Sequence, residues 1–295
     1  MTTQMTEFDG RLTKLSASAP HLSELPNFLD ARAPLQGQVD YHLRLLNTEH
    51  GELDSILRHQ IPLNEYVGHS IKIEFLGKIS CLYCGRRIKK TYSDGYCYPC
   101  FMERPSAAEC IIRPALCLAH EGGGRDPEWE RAHHLQTHYV YMVRSSKYKV
   151  GVTRDWPTRW LDQGADAVKV IASLPYRQLA GLIELELAQH YSDKLSWQAM
   201  LKGECLKNAN LDQEVRRAIS LLSEDLAQYG TPESPIISFN YPIQTHPLKV
   251  KSVKLDKVDE LEGRLEGIKG QYLIFDQNRV INIRSHSAYH VRVHI

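Results

Sequence analysis

The sequence predicts an α+β protein in which a β-rich portion is assembled from the two chain ends, about 35–80 and 241–295, with two further units inserted between them. Three observations predict it. Ile71, Ile73 and Phe75 alternate with polar neighbours, and Tyr272-Leu273-Ile274-Phe275 is a core-like run near the other end. Two C-x2-C pairs, Cys81/Cys84 and Cys97/Cys100, interrupt the chain just after the first of these patterns. From Tyr139 onward, two β-rich runs are followed by helix, strand and helix signals.

Taken in order, residues 1–34 are polar, carry Pro20, Pro26 and Pro34, and are expected to form a flexible N-terminal arm. Residues 35–80 are the first β-rich segment, ending in a strand that leads through Gly77 to the first cysteine pair. Residues 81–104 form the cysteine-paired segment. Residues 105–137 are expected to be irregular, with Pro105, Pro114, Pro127 and a Gly122-Gly123-Gly124 run among several Cys and His.

The unit 138–202 begins with the runs 139–143 and 148–152, joined by a linker of hairpin length, 144–147. Pro157 suits a helix start and Gly164 its end. A strand at Val168–Ile171 and a helix from about Pro175 to His190 complete the unit. Residues 203–240 are a helical connector, with one helix expected over 210–229: Asp212 is its cap, Val215, Ile219, Leu222 and Leu226 its apolar stripe, and Gly230 its stop. Gly263, Gly267 and Gly270 are expected turn points in the last segment, 241–295.

Composition narrows the function classes. With 295 residues, 42% hydrophobic and 24% charged, the chain suits a soluble globular protein. It has no apolar run of the ~20 residues that span a membrane. No basic stretch followed by an apolar one opens the chain, so no leader peptide and a cytoplasmic location are expected. A formal net charge of +1 excludes a uniformly basic polyanion binder. Locally the balance shifts: residues 81–113 carry six Lys/Arg against three acids, and residues 139–160 five against one. Such excesses suit a phosphate-binding face and equally a solvated surface.

The two C-x2-C pairs are separated by twelve residues. Each such turn aims two thiolates at one ion, and two turns complete a tetrahedral set. Gly85 and Asp94-Gly95 supply tight turns. The pattern is that of a zinc ribbon with Cys81, Cys84, Cys97 and Cys100 as ligands. Four thiolates leave no open position, so this zinc is expected to be structural. Cys110, Cys117 and His120, with His134 or His133 as a fourth ligand, offer a second and less regularly spaced zinc site. Cys205 stands alone and is expected to be a small core residue.

Residues 139–200 resemble the GIY-YIG nuclease superfamily. Tyr139-Val140-Tyr141 stands where that family has Gly-Ile-Tyr, and Lys149-Val150-Gly151 where it has Tyr-Ile-Gly. Arg159 lies at the place of its helical arginine, and Glu184 at that of its metal-binding glutamate. The span 35–295 is also similar to an uncharacterised bacterial family, domain of unknown function 2797, on the stretches CLYCGRRIKKTYSDGYCYPCF, KVGVTR, TRWLDQGA, AGLIELELA and GIKGQYLIFD.

The nuclease resemblance implies a GIY-YIG-like three-strand/helix unit and a divalent-metal-dependent phosphodiester hydrolase. Glu184 would bind Mg²⁺ or Mn²⁺, Arg159 would hold the charge developing on the phosphoryl oxygens, and Tyr141 would position or activate the attacking water. Tyr148, Lys149, Gly151 and Arg154 are the implied substrate-binding residues. Nucleic acid, DNA or RNA, is the implied partner. The chain departs from the family pattern at Tyr139, at Lys149, and at Ser196, where the nucleases carry asparagine. Glu186 lies within the apolar arc of the same helix and competes with Glu184 for the acid's role. Two non-catalytic readings stand beside the enzyme: a zinc-dependent nucleic-acid-binding protein, and a zinc-stapled protein–protein adaptor.

Overall fold

A computed structural model of the chain describes residues 6–25, 27–31, 33–47, 57–191, 196–207 and 209–295. In chain order its strands are β1 (Glu7–Leu12), β2 (Ser16–Ser18), β3 (Leu35–Gln38), β4 (Asp40–Leu46), β5 (Leu57–Pro62), β6 (Ser70–Ser80), β7 (Arg87–Ile88), β8 (His138–Arg144), β9 (Tyr148–Thr153), β10 (Ala167–Leu174), β11 (Ile236–Asn240), β12 (Lys251–Val253), β13 (Glu260–Lys269), β14 (Tyr272–Phe275), β15 (Arg279–Asn282) and β16 (Tyr289–His294). Its helices are α1 (Pro20–Ser23), α2 (Tyr98–Glu103), α3 (Glu109–Ile112), α4 (Pro127–His134), α5 (Thr158–Asp162), α6 (Arg177–Leu187), α7 (Trp197–Leu201), α8 (Leu211–Ser220) and α9 (Glu224–Ala227). Among the described residues no helix is long and apolar enough to cross a membrane.

The fold is mixed α+β and β-rich, with two sheets in two compact units. Residues 1–18, 39–102 and 241–295 make the first unit, and residues 19–38 and 103–240 the second. The first unit is built on a sheet of order β12-β15-β14-β13-β6-β16-β1-β4-β2, with β5 added on β4 and β7 on β6. The alternation at Ile71 and Ile73 is a core face of β6, where both side chains are essentially fully buried. The run at 272–275 is β14, whose Leu273, Ile274 and Phe275 are fully buried.

Several expectations are corrected here. Residues 7–18, expected within a flexible arm, form β1 and β2. β1 pairs with both β16 and β4, and Leu12 is fully buried. Glu7 of β1 is exposed, Asp9 half-buried and Arg11 buried, in a strand whose backbone is satisfied by its neighbours. Residues 1–5, Pro26 and Arg32 of that arm lie outside the described residues. Residues 105–137 are a chain of short helices. Gly263 and Gly267 lie inside β13, and Gly270 alone, with φ +61°, makes the turn into β14.

The second unit carries the sheet β3-β11-β10-β8-β9. β8 and β9 form the expected hairpin, with Tyr141 opposite Gly151. β10 runs antiparallel along the other side of β8. Alternation splits the hairpin into two faces. Val140, Met142 and Val150 pack with Ala180, Ile183 and Leu187 of α6 and Leu211, Val215 and Ala218 of α8. Tyr141 turns to the other face, where its ring meets Trp160 edge-on at 5.7 Å.

The helix expected over 210–229 is two helices. Asn210, not Asp212, caps α8 through the Gln213 amide. Asp212 is taken instead by Lys169 and Arg216. Cys205, expected in the core, is exposed.

Candidate functional site

The first cysteine cluster is built by local backbone. Cys81 N donates to Arg86 O, and Gly85 N to Cys81 O, which closes one knuckle. Gly85 (φ +71°) and Gly95 (φ +97°) take conformations that other residues adopt only with strain. The Leu82 amide donates to Gly95 O and so ties the first knuckle to the turn before the second. The four sulfurs lie within 4.8 Å of one another. Cys84 Sγ is 3.6 Å from Cys97 Sγ, and the Cys97 amide donates to Cys81 Sγ at 3.2 Å.

Burial opposes ionisation of Cys81, but amides of Cys84, Cys97 and Tyr83 outweigh it and lower its pKa. Burial and neighbouring sulfurs push Cys100 up. Such a set ionises together only when a cation shares the charge, and the arrangement is compatible with a zinc site. Arg11, buried in the same unit, donates to Cys81 O at 3.1 Å.

A second cluster lies in the other unit. Cys110 on α3, Cys117, and Glu130 and His134 on α4 bring one ligand atom each to within 4.8 Å of one another, and all four are buried. His120, expected here, lies outside the group. Its ring stacks on Tyr176 at 5.1 Å, with Glu121 beside it. His133 is likewise diverted, stacked on Trp129 at 4.0 Å and hydrogen-bonded to its carbonyl. Glu130 takes the fourth place. It escaped the sequence reading because attention fell on Cys and His, although Glu130 and His134 stand four residues apart, on one helix face. Asp126, which accepts from the Trp129 amide, and Pro127 start that helix in an ordinary way.

The hairpin residues form a third grouping, in the same unit as the second cluster. Tyr141 is 0% exposed. Gln163 donates to its hydroxyl at 2.9 Å, and the Arg159 guanidinium acts on it electrostatically. Burial pushes the phenol up to about 12, Arg159 and Gln163 pull it down, and Glu184 pushes it up again. A Cβ on Gly151 would stand 2.8 Å from the Tyr141 hydroxyl, so only glycine fits opposite it. Arg159 is exposed and Glu184 half-buried. Gln163 was missed, although it lies within the quoted TRWLDQGA stretch.

The other expected residues are placed as follows. Lys149 is half-buried and shares the sheet face of Gly151 and Tyr141. Tyr148 points to the opposite face and packs against the helical core, which separates it from that grouping. Arg154 donates to His133 O at 2.9 Å and pairs with Asp155. Glu186 accepts from the amide and hydroxyl of Ser223 at 3.1 and 3.0 Å, which ties it to the start of α9. Trp160 is fully buried and belongs to the core. Ser196 caps α7 through the Ala199 amide.

Arg177, one turn before Gly181 on α6, was not singled out from the sequence. It donates to Cys110 O at 3.0 Å and Ile111 O at 2.9 Å. Burial lowers its pKa, Cys110 and Cys117 raise it, Arg154 lowers it and Glu184 raises it. Arg177 therefore stands electrostatically between the second cluster and Glu184.

No curated protein and no solved structure matches the chain. The family described as "Protein of unknown function (DUF2797)" matches residues 68–291, a span that takes in both cysteine clusters and the hairpin, and the chain belongs to that family.

Proposed function

We propose that the second unit is a divalent-metal-dependent phosphodiester hydrolase of the GIY-YIG type acting on nucleic acid, and that zinc at Cys81, Cys84, Cys97 and Cys100 is a structural staple. One observation carries this reading: Arg159 on a short helix and Glu184 on a long one both act electrostatically on the hydroxyl of Tyr141 on β8. The order hairpin, helix with arginine, third strand, helix with glutamate is the one that the resemblance implies.

Each residue then has a role. Arg159, exposed and electrostatically coupled to Tyr141, would neutralise charge on the phosphoryl oxygens. Tyr141 is protonated at neutral pH, closed to solvent and hydrogen-bonded to Gln163, so it does not act as the base. Glu184 rather than Glu186 is assigned to the reaction's ion, since Glu186 is engaged by Ser223. One carboxylate within the electrostatic reach of Arg177 fits Mg²⁺ or Mn²⁺ only together with phosphate oxygens, because a nearby cation disfavours a free ion. When bound there, the ion would polarise the phosphate and stabilise the leaving oxygen.

The closed environment of Tyr141 also favours a second reading, a nucleic-acid-binding platform without turnover. Incubation with Mg²⁺ or Mn²⁺ and labelled DNA and RNA separates the two. Cleavage that is lost in Arg159→Ala and in Glu184→Gln supports the hydrolase. Salt-dependent binding without cleavage supports the platform. Failure to bind at low salt removes both and leaves a zinc-stapled adaptor.

A further inference from the structure

The geometry points to a second, closed zinc site in this chain, formed by Cys110, Cys117, Glu130 and His134, that fixes the 105–137 segment against α6. It stands independently of the hydrolase reading.

The donor set is the first argument. Two thiolates, an imidazole and a carboxylate are all zinc ligands, and four protein donors make a complete tetrahedral shell. Cys117 Sγ is 3.4 Å from His134 Nδ1, and Glu130 Oε2 is in direct contact with that nitrogen. Cys110 Sγ stands 4.0 Å from Glu130 Oε2. Bonds of 2.0–2.3 Å impose edges of roughly 3.3–3.8 Å on a tetrahedron, which the Cys117–His134 pair meets, while the Cys110–Glu130 pair is slightly longer and the Glu130–His134 pair shorter.

The second argument is burial. Glu130 is 1% exposed and His134 is 0% exposed, and Glu130 Oε1 is buried without a hydrogen-bond partner. A carboxylate is rarely removed from water to this degree unless a cation shares its charge.

The third argument is that the chain makes room for this carboxylate. Gly124 sits at φ +130°, and a Cβ on it would come within 2.4 Å of Glu130 Cγ. The triple-glycine run is thus shaped to admit Glu130. Glycine at 181 completes the arrangement, since a Cβ there would meet the Ala115 amide nitrogen at 2.0 Å. The segment between the two cysteines therefore lies directly on α6. Cys110 O and Ile111 O hold Arg177, so the ion would fix the carbonyls that aim this guanidinium.

X-ray absorption at the zinc edge of the full-length protein, purified without chelator, tests the site without a mutation. Two zinc ions per chain by elemental analysis, with an average of three sulfur and one nitrogen or oxygen neighbours per zinc, are expected. One zinc per chain with an all-sulfur shell would overturn the proposal. The ligand identities are read separately from zinc content after dialysis against a mild chelator. Glu130→Ala is expected to keep one zinc and His120→Ala to keep two. The reverse pair of results would remove Glu130 from the site.

Discussion

The two cysteine clusters solve one problem by different means. The Cys81/Cys84/Cys97/Cys100 group is written into twenty consecutive residues. Its knuckles are closed by backbone amides, its turns by Gly85 and Gly95, and the thiolate of Cys81 is favoured by the amides of Cys84, Cys97 and Tyr83. The Cys110/Cys117/Glu130/His134 group gathers a short helix, the residue after a single helical turn, and one face of α4. It relies on burial and on a glycine that clears space for a carboxylate. A local site can be recognised from spacing, whereas one made of distant elements must be recognised from what the fold buries.

The largest test of that contrast is the removal of a ligand from the local cluster. Structural zinc contributes roughly 10–16 kcal/mol in isolated finger peptides, so Cys97→Ser should cost one zinc per chain. It should also open 81–104 to trypsin, where Arg86, Arg87, Lys89 and Lys90 are available. Retention of protease resistance and of all zinc would break the comparison.

Gly124→Ala should act on the distant cluster with a smaller cost, on the order of 2–4 kcal/mol, from strain at positive φ and from the clash with Glu130. Urea denaturation reads the stability. Zinc content should fall by one while the 81–104 segment stays resistant to trypsin. A fall in stability with full zinc content would separate the glycine from the metal.

Buried histidines sharpen the comparison between the units. His138 in the second unit is held at about 4 by burial, with its Nδ1 donating to Gln136 O. His290 in the first is also held at about 4 by burial, beside Ser80. Both lie below the ordinary histidine value, so the unfolded chain takes up the proton first as pH falls. The stability that each neutral ring contributes is complete above about pH 6.5 and is lost as pH drops towards 4. The loss should be on the order of 2 kcal/mol per histidine by pH 5. His138→Gln and His290→Gln should each flatten the urea midpoint between pH 7 and 5. Unchanged pH dependence in both would show that these rings titrate normally.

The smallest effect separates the two acids of α6. Glu186→Ala should lose about 1–2 kcal/mol, because the Ser223 amide and hydroxyl lose their acceptor. It should leave any cleavage intact. Glu184→Gln should do the opposite, abolishing cleavage with little change in melting temperature. An exchange of these outcomes would move the functional acid to Glu186.

Local signals were legible wherever the deciding interactions are close in sequence. The alternation at Ile71 and Ile73, the hairpin of β8 and β9, and the four-cysteine set follow from patterns a few residues long. The places that misled are those where a distant partner decides. A polar N-terminal stretch became β1 because β16 and β4 flank it. Asp212 gave up the cap to Asn210 and met Lys169 from another element.

The sequence by itself determined the sulfur cluster at 81–100, since a C-x2-C turn directs its two thiols with no help from the rest of the chain. It determined the hairpin too, because alternation and linker length suffice to pair adjacent strands. Only the tertiary structure decided that Glu130 rather than His120 completes the second cluster and that Glu186 is tied to Ser223. It also decided that Tyr141 is sealed beneath Gly151. Those outcomes depend on which groups are withdrawn from water together, and burial is a property of the packed chain that no short stretch carries.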